Sequence, residues 1–132
     1  MPKPTKSQRA IISANPAVSQ AHKLTIKRPY DPSAWHALGV ALTNVKQFDE
    51  ACSIFERASD LAPNSHLHHE WLGYVEYQRQ NSQRALEHLL VALEIEPDAT
   101  FALTTLGRIH IDRGQFEKAL EYLRRAETLA PH

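Results

Sequence analysis

The 132-residue chain holds one cysteine, four glycines and no acidic residue before Asp31. Each shortage excludes something. A lone thiol, Cys52, cannot close an internal disulfide or build a thiolate metal site by itself, which fits a reducing compartment and makes Cys52 a small core residue. No stretch approaches the roughly 18 consecutive apolar residues of a membrane-spanning helix. The opening MPKPTKSQRAII carries basic residues without the roughly 7–15-residue apolar segment of a secretory signal, so a cytoplasmic location is expected. No Ser/His/Asp set, glycine-rich phosphate loop or paired-carboxylate cleft stands out, so neither catalysis nor a cofactor is expected.

The missing acids make the N-terminal segment electrostatically distinct. Six basic residues (Lys3, Lys6, Arg9, Lys23, Lys27 and Arg28) stand before Asp31, whereas the remainder carries nine Lys/Arg against fifteen Asp/Glu. A basic arm of this kind docks on an acidic protein surface, nucleic acid or anionic lipid, or serves as a solubilising tail. Nucleic-acid binding ranks below protein binding here. A mitochondrial transit peptide suits the absence of acid and the several serines, but the few apolar residues and the two prolines at the start weigh against it.

What the chain does have is internal repetition. Gly39, Gly73 and Gly107 are spaced 34 residues apart, each preceded by a leucine (Leu38, Leu72 and Leu106). Ala51, Ala85 and Ala119 keep that interval, as do Ala58, Ala92 and Ala126, and Pro63, Pro97 and Pro131. Each unit contains two apolar-periodic stretches bounded by helix punctuation. Asp31-Pro32, Asn64-Ser65 and Asp98 are expected to supply N-caps, and the three prolines to stop the second helices. The spacing predicts helices near 33–45, 49–61, 67–79, 83–95, 101–113 and 117–129, with the recurring glycines and alanines where two backbones approach closely. A further helix is expected over about 16–28, with residues 1–15 a largely disordered basic arm.

The first unit reads WHALG, then Ala, Phe, Ala and Pro at characteristic offsets. On these residues the chain resembles the tetratricopeptide-repeat family over residues 32–131, in units 32–65, 66–99 and 100–131. The resemblance implies an all-α fold: a right-handed superhelical solenoid of three helix-turn-helix units, here with an N-terminal helix over 16–31 including its linker. It also implies that the first helices line a concave surface. Some family members grip a chaperone's C-terminal carboxylate with Lys, Asn and Arg at set positions. Those positions hold His36, Val40, Trp71, Phe101 and Thr105 here, so that clamp is absent.

A helix turns about 100° per residue, which places Trp71, Tyr74 and Tyr77 on one side, opposite the repeat-signature positions that face the second helix. The concave face is then expected to comprise Ser33, His36, Val40, Thr43 and Asn44 in the first unit. The second contributes Leu67, Glu70, Trp71, Tyr74, Tyr77 and Gln78, and the third Phe101, Thr104, Arg108, Ile111 and Asp112. An apolar, aromatic strip rimmed by Glu70, Arg108 and Asp112 suits a partner's peptide or amphipathic helix, with an affinity of about −8 kcal/mol. Replacing Tyr74 and Tyr77 together by alanine is expected to abolish capture without changing the melting of the fold.

Two further groupings stand out. Glu76 and His110 share one register position and are expected to meet as a partly buried pair. His66, His68, His69 and Glu70 form a run with His66 and Glu70 one turn apart. It lacks the HExxH order and any thiolate, so no metal is expected. Finally, Leu120, Leu123 and Leu129 on the last predicted helix would normally be partly covered by a further helix. The expectation is a fragment of a longer array, self-association of that end, or the N-terminal segment of another copy packing there, and self-assembly through the terminal helices is the alternative to peptide binding.

Overall fold

The computed structural model describes residues 3–6, 9–10 and 15–129. From Pro16 onward run the α-helices α1 (Pro16–Lys27), α2 (Pro32–Asn44), α3 (Phe48–Leu61), α4 (His66–Gln78), α5 (Ser82–Ile95), α6 (Thr100–Asp112) and α7 (Phe116–Leu129). Much of the N-terminal arm, expected to be disordered, lies outside the described residues. Within them Lys6, Arg9 and Ala10 are helical, and the Arg9 N–H donates to the Thr5 carbonyl at 2.9 Å.

The helices begin and end for local reasons. Pro16 and Pro32 stand in the first turns of α1 and α2, where no intrahelical N–H is lost. Asn15 accepts from the Val18 N–H at 3.1 Å and Asp31 from the Ser33 N–H at 2.9 Å. The other expected caps differ. Ser65 precedes α4 but makes no side-chain cap bond, and the residue at the N-cap of α6 is Ala99, not Asp98.

The first helix of every repeat stops in the same way. Lys46, Gln80 and Gly114 take left-handed backbone (φ 64°, 68° and 73°), and the amides that follow fold back on the last turn. Lys46, Gln80 and Gly114 N–H donate to the carbonyls of Thr43, Tyr77 and Ile111, and Gln47, Asn81 and Gln115 N–H to those of Leu42, Glu76 and His110. This is the Schellman pattern, which satisfies orphan carbonyls and stops each first helix one residue short of its predicted end.

The chain divides into two compact units, 1–61 and 62–132. In the first, α1 packs on α2 and α2 on α3. Val18, Trp35, Leu38, Ala51, Phe55 and Ala58 are buried, and the Trp35 indole N–H donates to the Pro29 carbonyl at 2.8 Å, tying the α1–α2 link to the core. Cys52 is buried and forms no disulfide. In the second unit α5 contacts α4 and α6, α4 contacts α6, and α6 packs on α7. Its core joins Ala85, Leu89 and Ala92 of α5 to Ala99, Ala102, Leu106 and Ile109, with Tyr77, Leu86, Leu93 and Tyr122 packed around them. Burying a leucine or phenylalanine of this kind stabilises by about 1.5–3 kcal/mol.

The repeated glycines act on a side chain and not chiefly on a backbone. A Cβ on Gly39 would lie 2.6 Å from the Phe55 ring, one on Gly73 2.5 Å from Leu89 and one on Gly107 2.5 Å from Leu123. Each first helix thus leaves a slot that a large residue of its own repeat's second helix fills.

Candidate functional site

Trp71 and Tyr74 are one turn apart on α4, and Phe101 lies in the first turn of α6. Their rings close a triangle. Trp71 is 5.1 Å from Phe101 and 6.0 Å from Tyr74, and Tyr74 is 5.3 Å from Phe101. The rings are tilted or edge-on, the arrangement their quadrupoles favour, and each pair adds about 0.5–1.5 kcal/mol beyond burial. All three side chains are half-buried, so the triangle has one packed side and one side open to solvent.

Beside it runs a polar strip. The Tyr77 hydroxyl donates to Asp112 Oδ2 at 2.5 Å, joining α4 to α6, while its ring packs against the core. That hydrogen bond, then burial and the Asp112 charge, push the Tyr77 phenol above its ordinary pKa, against the opposing influence of Arg108. Arg108, Ile111 and Asp112 are exposed, Gln78 and Thr104 half-buried, and Leu67 is 47% exposed. The Thr104 hydroxyl donates to the Thr100 carbonyl at 2.9 Å.

Two residues expected on the open face are turned inward. Glu70 is 3% exposed and does not rim the strip: its carboxylate accepts from the Ala102 N–H at 2.8 Å and bonds His66 Nδ1 at 2.8 Å. Thr43 is 7% exposed because its hydroxyl donates to the Gly39 carbonyl of the preceding turn, which draws the side chain against its own helix. In the first unit Ser33 and Asn44 are exposed and Val40 half-buried. His36, also half-buried, lies edge-on to the Phe55 ring at 5.3 Å, and burial lowers its pKa.

The expected Glu76–His110 pair gives way to other partners. Buried Glu76 forms ion pairs with Arg79 at 2.6 Å and Arg84 at 3.0 Å, cations that reach it from the end of α4 and the start of α5. His110 bonds Gln115 at 2.6 Å and stacks on Tyr122. The histidine run is dispersed: His66 bonds Glu70, His68 is buried, and His69 stacks on His88 at 5.8 Å, where burial and then the His88 charge lower its pKa. Among the described residues no group of three potential ligands could hold a metal ion. Nor is any helix among them long and apolar enough to cross a membrane.

Comparison with known proteins identifies the repeats. Models of the tetratricopeptide repeat match residues 36–100 and 100–132. The chain belongs to the tetratricopeptide-repeat family. It is 34% identical over 91 residues to the human mitochondrial import receptor subunit TOM70, covering 68% of this chain and 15% of that protein. To the bovine BBSome complex member BBS4 it is 34% identical over 114 residues, covering 86% of this chain and 21% of that protein. The chain therefore spans only a fraction of the length of these relatives. A solved structure of MamA superposes with a TM-score of 0.74 at 20% identity, over 85% of this chain and 66% of that one, a likeness of fold alone.

Proposed function

We propose that this tetratricopeptide chain is a non-catalytic, cytoplasmic interaction module that takes a peptide or amphipathic helix of a partner protein on the aromatic face of α4 and α6. The observation that carries the reading is the half-open triangle of Trp71, Tyr74 and Phe101 beside exposed Leu67, Ile111 and Arg108. Rigid aromatic side chains bring a large contact area at low rotamer cost, and such residues dominate binding energy in interfaces. Relatives named as an import receptor subunit and as a member of a complex support a protein partner.

The test is selection of a displayed random-peptide library on the protein, followed by calorimetry with the enriched peptide. Micromolar affinity is expected. Trp71→Ala with Tyr74→Ala should weaken it at least tenfold, about 1.4 kcal/mol, with helical content unchanged. Unaltered affinity in that variant would refute the site. Tyr77 is best replaced by phenylalanine, because truncation to alanine would also open the core it packs against.

A second reading concerns the apolar face of α7, which either a following repeat or a second copy of the chain would cover. Leu86 of α5 is half-buried, packed against the core that α5 and α6 share, whereas Leu120, its counterpart one repeat later, is 45% exposed. Phe116 and Leu129 on α7 are also exposed, at 65% and 39%. Light scattering tests this reading: mass rising with concentration supports it, and a strict monomer from micromolar to millimolar concentration removes it.

A further inference from the structure

Glu70 is a carboxylate at 3% exposure inside a helical pair that could have been sealed by apolar residues. Its partners show what it does there. α6 starts at Thr100 with Ala99 in the N-cap position, and no side chain at that position accepts from the amides of the first turn. Those amides are the orphan donors of any helix start. Glu70 Oε2, reaching from α4, accepts from the N–H of Ala102, the third residue of α6 and one that an N-cap side chain commonly serves. The other oxygen is held by His66 Nδ1 one turn back on α4, which fixes the carboxylate's orientation. A negative group is also favoured at that end of the helix dipole. Ala102 directly follows Phe101, whose ring meets Trp71 and Tyr74 at 5.1 and 5.3 Å.

We propose that Glu70 is a positioning residue for the aromatic face: by capping α6 from α4 it fixes the depth and rotation at which Phe101 meets Trp71 and Tyr74. The proposal deepens the peptide-binding reading and rests on it for its functional meaning. A bare space-filling role predicts something else. Buried charged groups are often replaced by apolar residues of similar volume without loss. A capping role forbids that, because the Ala102 N–H would be left buried without an acceptor.

Glu70→Met keeps the length of the side chain and removes the acceptor, and Glu70→Gln keeps one carbonyl oxygen. Amide exchange at Ala102 is read against Leu103, whose N–H is bonded to the Ala99 carbonyl, together with the proton contacts between Phe101 and the Trp71 indole. In Glu70→Met, exchange at Ala102 should quicken about tenfold or more and the Phe101–Trp71 contacts should vanish, while amides in α5 stay protected. Glu70→Gln should restore both. If Glu70→Met does not fold, Glu70→Gln, which has nearly the same volume but keeps an acceptor, should fold with Ala102 protected, which a volume role does not predict. Retention of Ala102 protection and of the Phe101–Trp71 contacts in Glu70→Met overturns the proposal, as does failure of Glu70→Gln to restore them. The library-selected peptide separates this from the underlying reading. If Glu70→Met breaks the triangle and leaves peptide affinity intact, the positioning role stands and the aromatic face is not the binding site.

Discussion

The two tryptophans of this chain stand in neighbouring repeats and have opposite uses. Trp35, in the first repeat, is 4% exposed, its indole N–H bound to the Pro29 carbonyl and its ring under the Arg57 guanidinium at 5.3 Å. Trp71, two register positions later in the second repeat, is half-buried against Tyr74 and Phe101. The position that holds Trp35 in the first repeat holds His69 in the second, and Val40 in the first answers to Tyr74 in the second. Register, not residue type, decides whether a ring seals a helical pair or is presented by it. In the first repeat Trp35 and Phe55 are inside and Phe48 is half-buried, whereas the second repeat places Trp71 and Tyr74 where α4 meets α6.

The largest expected effect sharpens this contrast. Trp35→Ala should cost about 3–5 kcal/mol in urea unfolding and leave intrinsic peptide affinity unchanged wherever the protein is folded. Trp71→Ala should cost far less stability and most of the peptide affinity. Equal stability losses at the two positions would break the comparison. Next comes the slot beneath the glycines. Gly39→Ala drives a Cβ against the wholly buried Phe55 ring, with overpacking of about 1–3 kcal/mol offset by about 1 kcal/mol of helix propensity. Gly107→Ala meets half-buried Leu123, which has room to swing, so its melting temperature should fall less.

Smaller effects come from the repeated helix stops. Gln80 is a non-glycine in left-handed backbone, so Gln80→Gly should raise stability by up to about 1 kcal/mol, whereas Gly114→Ala should lower it by a similar amount. Denaturant midpoints read both. Acid gives the smallest effect. Burial lowers the pKa of His36 and of His69, so the folded state binds their protons less readily than the unfolded chain. Their contribution is present above the ordinary histidine value of about 6.5 and is lost as pH falls from there towards the depressed values. His36→Gln and His69→Gln should each flatten the decline of stability with acid. An unchanged slope would deny them that role.

Much of this architecture is legible in the sequence because the repeat signature records packing constraints. Gly39, Gly73 and Gly107, with the paired alanines, give the helix pairs to within one residue at their starts, since each column answers a contact that recurs every 34 residues. Trp71, Tyr74 and Phe101 are legible by angle on the same grounds. Glu70 is not, because its burial depends on a donor 32 residues away. The available clue was negative: Ala99 stands where a capping side chain would. Thr43 misleads because angle alone places it outward, while its hydroxyl bonds the Gly39 carbonyl of its own helix. The shared register of Glu76 and His110 was outweighed by nearer partners, Arg79 and Arg84 for one and Gln115 for the other.

Chemical-shift mapping with the library-selected peptide tests the central claim most directly, since it reads every amide and both indoles without altering a residue. The predicted result is a set of shifted resonances centred on Trp71, Tyr74, Phe101 and Arg108. Shifts confined to α2, or to Phe116 and Leu120 on α7, would contradict the assignment of the α4–α6 face as the one that meets a partner.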